Sequence, residues 1–182
     1  MKYSIYFYEG QLDNEELRKA LALEAVSAWC VAAGIDFDPD TAVVKKGEKG
    51  KPFIEGLPVH YNVSHTGNMW MCIVGPEESG LDIQQTKECD YEKIAERHFT
   101  PEEQHYVRLW GLDGFFRLWT RREAFGKFTG QGFYGQMPPF VDGSGELITH
   151  TGGAYLREIE IAEDVFCVYC TGGKDDEIEF FG

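Results

Sequence analysis

Apolar and polar positions alternate along the first residues, then recur at helical spacing, then alternate again. The opening "YSIYFYE" is aromatic and β-branched and predicts a strand. "DNEELRKALALEAVSAWCVAAG" predicts a helix with Asp13 or Asn14 as its cap, Glu15 and Glu16 in the first turn and Gly34 as its stop. Its apolar stripe reads as Leu17, Leu21, Ala25, Ala28 and Ala32. The stretch "DFDPDTAVVKKGEKGKPFIEGLP", broken by Gly and Pro, predicts a loop. Three strands are expected next, "VHYNVS", "MWMCIVG" and "GLDIQ", with "HTGN" and "PEES" as the turns between them.

From Tyr91 the pattern turns helical: "YEKIAERHF", "TPEEQHYVRLW" and "DGFFRLWTRREAFGKFTG". The second of these has a full start signal, with Thr100 as cap, Pro101 at the first helical position and Glu103 closing a capping box. After the Gly-rich "TGQGFYGQMPP" come the strands "AYLREIEI" and "DVFCVYC" and an acidic end, "KDDEIEFFG", that suits an edge strand or a frayed tail. The order β, α, βββ, ααα, ββ(β) is an α+β pattern, compatible with two similar halves side by side.

Composition narrows the function. The chain has 182 residues, enough for one domain with a sizeable core, and 43% are hydrophobic, which excludes global disorder. The formal charge of −14 speaks against nucleic-acid or anionic-membrane partners. No apolar run is long enough to span a bilayer and the start carries no leader-like apolar segment, so the chain reads as cytoplasmic. Five cysteines fit reduced thiols. Cys167 and Cys170 form a C-x-x-C, but on a strand that offset sends the two thiols to opposite faces, against a shared metal.

Basic residues nevertheless cluster twice. "KKGEKGK" holds Lys45, Lys46, Lys49 and Lys51, with Lys51 an exposed ammonium in a turn stiffened by Gly50 and Pro52. Such a point charge suits a phosphate. Arg117, Arg121, Arg122 and Lys127 follow each other along the last helix. On that helix Trp119, Glu123 and Lys127 share a face, so Glu123 could serve as a general base beside a cationic charge. In "YNVSHTG", Ser64 and His65 are adjacent on a strand and point to opposite faces, which rules out a serine–histidine nucleophile pair and favours binding of an anionic oxygen. In "GLDIQQT", Asp82 and Gln84 fall on one strand face, where two carboxylates would make a hard-cation site and only one is present.

Taken in order, "GKP", "YNVSH", "GLDI" and "LWTRREAFGK" followed by "TGQGF" resemble the motif series of the 4′-phosphopantetheinyl transferases, from about Gly50 to Gly132. That family shows GKP, F-N-x-S-H, G-(I/V)-D-x-E and W-x-x-K-E-(A/S)-x-x-K-x-x-G-x-G. The size resembles the larger, monomeric surfactin-synthetase-type branch. The resemblance implies a single transferase domain over residues 1–182, built as a pseudo-dimer of two α+β halves near residues 1–85 and 86–182, with the active site in the cleft between them.

It implies transfer of the phosphopantetheine arm of coenzyme A to a serine of an acyl- or peptidyl-carrier protein, with release of 3′,5′-ADP. Asp82, Glu123 and Gln84 would hold Mg²⁺. Glu123, Lys127 and Asp82 would carry the chemistry, and Lys51, Pro52, Ser64, His65, Arg18 and Lys19 would bind coenzyme A. The chain departs from the family pattern at Gln84, where the family has an acid, and at Arg122, where it has lysine. It is also short of basic residues before Arg18. Arg97, His98, Arg117, Arg121 and Arg122 would dock an acidic carrier, with Phe99 or Phe115 as the apolar contact. Two rival readings are a non-catalytic homologue that binds coenzyme A or a carrier, and a metal-dependent pyrophosphate hydrolase.

Overall fold

The strand β5 (Met69–Gly75) is buried at every position because both of its faces are covered. Met69, Met71 and Ile73 point into a core between two sheets, while Trp70, Cys72 and Val74 point into a second core beneath a helix. The rest of the computed structural model, which describes residues 1–182, is arranged around that division. One sheet has the order β10-β1-β5-β4, with β1 (Lys2–Glu9), β4 (His60–Thr66) and β10 (Glu177–Phe181). The other has the order β6-β9-β8-β7, with β6 (Ser79–Gln85), β7 (His150–Thr151), β8 (Ala154–Ala162) and β9 (Val165–Thr171). Tyr3 and Ile5 of the first sheet meet Leu81, Ile83, Val165 and Cys167 of the second. The mixed α+β class is as the pattern of elements predicts.

Helix α1 (Glu15–Ala33) covers the outer face of the first sheet. Asn14 is its cap, accepting from the Glu16 N–H at 2.8 Å, and Gly34 ends it in the left-handed region at φ 69°. The buried stripe is Ala22, Ala25, Val26, Trp29 and Cys30, and Ala28 and Ala32 face outward. The stripe is rotated from the expected one because the small alanines give no preference between faces, whereas the bulk of Trp29 decides it.

The outer face of the second sheet is covered by α2 (Tyr91–His98) and α3 (Pro101–Thr129). Within α3 the backbone breaks at Gly111, φ 60° and ψ −139°, so residues 101–110 and 112–129 are the two helices the sequence predicts. The break folds them together. Arg122 bonds Glu103 at 3.0 Å across a sequence separation of 19, whereas a straight helix would hold those residues about 28 Å apart. Glu103 is fully buried and also closes the capping box with Thr100 and accepts from the Phe140 N–H.

Two features depart from the expected layout, and one expected alternative is decided. The Gly/Pro-broken loop contains a hairpin, β2 (Val44–Lys46) with β3 (Pro52–Ile54), whose turn holds Gly50 at φ 85°. The acidic end is the edge strand of the two alternatives, β10, paired in parallel with β1. Sheet membership also crosses the boundary near residue 85: β6 joins the second sheet and β10 returns to the first. Cys167 and Cys170 do face opposite sides of β9, one in the inter-sheet core and one beneath α3. No helix is long and apolar enough to cross a membrane.

Candidate active site

The two sheets meet where β4 runs beside β6, and no backbone ladder joins these strands. Side chains do so instead. Asn62, Ser64 and Thr66, at alternate positions of β4, accept from the N–H groups of Leu81, Ile83 and Gln85 at 2.9, 3.3 and 3.1 Å. An edge strand buried without such partners would leave these donors unsatisfied. The polar alternation of "YNVSHT" is therefore the seam of the molecule. Asn62 and Thr66 are absent from the site expected on sequence grounds, although their i, i+2, i+4 spacing with Ser64 is the signal that places them on one face.

Asp82 sits at the centre of this seam, almost fully buried. Its Oδ1 accepts from Ser64 Oγ at 2.8 Å and from Lys127 Nζ at 2.7 Å, and its Oδ2 accepts from Gln84 Nε2 at 2.9 Å. Lys127 also donates to the carbonyls of Leu81, at 2.9 Å, and Val63, at 3.4 Å, so one ammonium clasps both strands. The helix reaches this far down because Gly80 lets it. A Cβ there would stand 1.9 Å from the Ala124 carbonyl oxygen. Gly126 allows a second close approach, with the Gly132 carbonyl 2.8 Å from where its Cβ would stand.

Glu123 lies one turn before Lys127, half-buried. Its pKa is raised, first by burial and then by Asp82, with Lys127 opposing. No hydrogen bond or ion pair engages its carboxylate. Asp82 and Glu123 supply two carboxylates and no third acidic, histidine or cysteine side chain joins them, so such a pair could hold a small divalent cation only with phosphate and water oxygens completing its shell. Gln84 reaches Asp82 through its amide nitrogen. In this orientation the nitrogen, the end of the amide that does not ligate a hard cation, is turned to Asp82.

The expected binding residues divide between two cavities. Arg18, Lys19, Pro52 and His65 come together around one of about 760 Å³, with Lys46 joining its rim and Tyr61, Val63 and Trp70 as an apolar floor. Burial lowers the His65 pKa, and the nearby Arg18 and Lys127 lower it further. Lys51 lines a second cavity of about 470 Å³ and is mostly buried, held by the Glu78 carboxylate and the Ser79 carbonyl. It is thus not the exposed ammonium expected from the Gly/Pro turn, because β6 packs its first residues against that turn. Ser64 is turned inward to Asp82, away from both cavities.

The basic face expected on α3 is also changed. Arg121 is buried against Glu158 at 2.7 Å, and Arg122 against Glu103, with its guanidinium over Phe99, Phe133 and Phe140. Phe99 and Phe115 are core residues, stacked at 5.6 Å. The folding-back of α3 at Gly111 encloses these groups, which a lone helix would have exposed. Arg97 remains on the surface.

The chain is similar to known proteins over much of its length. The 4′-phosphopantetheinyl transferase superfamily profile matches residues 78–175. The chain is similar to 4′-phosphopantetheinyl transferase Sfp of Bacillus subtilis (strain 168), 38% identical over 176 residues that cover 89% of this chain and 77% of that protein. It is similar to 4′-phosphopantetheinyl transferase gsp of Aneurinibacillus migulanus, 34% identical over 101 residues, 52% of this chain and 41% of that one. A further relative, a 4′-phosphopantetheinyl transferase of Bacillus subtilis, is 31% identical over 124 residues, 65% of this chain and 55% of its own. The chain thus spans about half the length of these last two relatives. The profile match over more than half of the chain and the long alignment with Sfp place it plainly: this chain belongs to the 4′-phosphopantetheinyl transferase superfamily.

Proposed function

We propose that this protein transfers the 4′-phosphopantetheine arm of coenzyme A to a serine hydroxyl of an acyl- or peptidyl-carrier protein. The observation that carries the reading is the convergence of Asp82, Glu123 and Lys127 at the seam between the sheets, in a chain of this family. Each sheet bears a long helix on its outer face, which supports the reading of two α+β halves packed as a pseudo-dimer. The monomeric state implied by the size of the chain belongs to the same reading. Coenzyme A is the co-substrate, and the 760 Å³ cavity suits its nucleotide end: an apolar floor for the base, with Arg18, Lys46 and His65 at the rim for phosphates and Lys19 beside them, paired with Glu15 and Glu16.

In the reaction the carrier serine oxygen attacks the β-phosphorus of the pyrophosphate. The bond from that phosphorus to the bridging oxygen breaks, and 3′,5′-ADP departs with the electron pair. Glu123 takes the serine proton, directly or through a water, and its raised pKa brings it closer to the range of a useful base. Lys127 sets a positive charge beside Asp82 and steadies the departing phosphate. Asp82 and Glu123 would hold Mg²⁺, which when bound neutralises charge on the pyrophosphate. Gln84 fixes the Asp82 carboxylate.

Intact-mass spectrometry of a panel of apo-carrier proteins, incubated with the protein, coenzyme A and Mg²⁺, tests this directly. The expected result is a phosphopantetheine mass gain that disappears with Glu123→Ala. Binding of coenzyme A with no gain on any carrier would instead identify a binding-only relative. The arrangement that would favour such a relative is Asp82 already engaged by Ser64, Lys127 and Gln84.

A further inference from the structure

Outside the carboxylate centre, the most organised cluster of charges surrounds Lys51. Its ammonium lies between the Glu78 carboxylate and the Ser79 carbonyl, the latter at 2.9 Å. The other Glu78 oxygen is 3.0 Å from His60 Nδ1. Glu78 therefore bridges Lys51 on the hairpin turn to His60 at the start of β4, at the mouth of the 470 Å³ cavity that Gly130 and Gln131 also line. This cavity adjoins the 760 Å³ one, sharing Pro52 and Tyr61 with it, so coenzyme A seated there can bring a phosphate to Lys51. Ser79 begins the strand that carries Asp82, and Gly130 follows the helix that carries Glu123.

The cluster has an uneven division of labour. The Ser79 carbonyl is neutral, belongs to the β6 backbone and holds the ammonium in place without altering its charge. Glu78 is half exposed and supplies a full negative charge at the same nitrogen. An anion approaching Lys51 meets a neutralised pair, and the field that would attract it is largely cancelled at short range. With glutamine in place of Glu78, Lys51 would keep its Ser79 anchor and present an uncompensated positive charge.

We propose that Glu78 acts through Lys51 as an affinity-setting residue, weakening the hold of this cavity on the phosphate groups of coenzyme A. This rests on the reading of coenzyme A as co-substrate. The carboxylate limits how tightly the nucleotide is held, and so favours release of 3′,5′-ADP after transfer.

The test is calorimetric titration of the full chain with coenzyme A, together with KM and kcat for transfer. Glu78→Gln should tighten coenzyme A binding by up to about fivefold, the scale of a half-exposed charge pair, and lower KM without raising kcat. Glu77→Gln removes the same formal charge from the adjacent exposed residue and should have little effect. Lys51→Met should weaken binding and erase the gain from Glu78→Gln when the two are combined. Unchanged or weaker binding in Glu78→Gln would overturn the proposal and leave the transferase reading intact. Equal tightening by Glu77→Gln would overturn it in favour of a diffuse net-charge effect. Intact affinity in Lys51→Met would remove Lys51 as a phosphate contact, and the proposal with it. A wild-type chain that binds no coenzyme A would overturn both this proposal and the reading beneath it.

Discussion

The carboxyl of Glu123 is held above its ordinary range by burial and by Asp82, against the pull of Lys127. A carboxyl whose folded-state pKa is raised binds its proton more readily folded than unfolded. Stability therefore falls as pH rises from the unfolded value through the raised one, and above that the full destabilisation is present. Glu123→Gln removes the ionisation while keeping the shape. The variant should melt at a higher temperature than the parent at neutral pH, and the gap should shrink as pH is lowered and close below the ordinary carboxyl value of 4.5. Thermal unfolding across pH in metal-free buffer checks this. A gap that did not change with pH would mean that packing around Glu123, and not its charge, sets the difference. The same variant should lose any rise in melting temperature that Mg²⁺ gives the parent, since one of the two carboxylates would be gone.

At the scale of elements, the site depends on how deeply α3 settles onto β6. Gly80 has no room for a side chain: a Cβ there would stand 2.6 Å from the Phe128 nitrogen, in addition to the clash with the Ala124 carbonyl, and both are backbone atoms that cannot rotate away. Gly80→Ala should push the helix off the strand, cost about 3 kcal/mol in a urea titration and reduce transfer sharply, because Glu123 and Lys127 ride on the displaced segment. Gly143→Ala, which meets nothing within 4 Å, is the matched control and should be close to neutral. Much of this was legible in the sequence. The Thr100 capping box, the Gly34 stop and the period-two strands are local signals, and the structure has all of them. The Asp82–Glu123–Lys127 group was legible through motif order. The seam was not, because nothing in β4 alone says which strand its Asn62, Ser64 and Thr66 will meet. The burial of Arg121 and Arg122 was hidden for a related reason: it depends on the turn at Gly111, and a glycine within a helical pattern does not announce in which direction the chain will fold.

For the whole molecule, the burial of those arginines changes how a carrier protein would meet it. The chain has a formal charge of −14, and the three-arginine face that would have offset it locally is reduced by the pairing of Arg121 with Glu158 and of Arg122 with Glu103. Lys93 is paired with Asp90, and the exposed Arg97 has the exposed Glu92, Glu96 and Glu102 within five residues of it along the chain. If the proposed transfer to an acidic carrier holds, encounter would take place between like charges. Raising ionic strength from about 0.01 M to about 0.15 M shortens the screening length from about 30 Å to about 8 Å, which removes most of the long-range repulsion and leaves contacts at the site in place. The value of kcat/KM for an acidic carrier should therefore rise several-fold over that range, while kcat at saturating carrier stays nearly constant, because salt acts on approach and not on the buried chemistry. Arg97→Glu should steepen the rise. A fall in kcat/KM with salt would show that a local attraction outweighs the net charge. Should Arg97→Glu flatten that fall, Arg97 would be its source, and the carrier would dock at the end of α2.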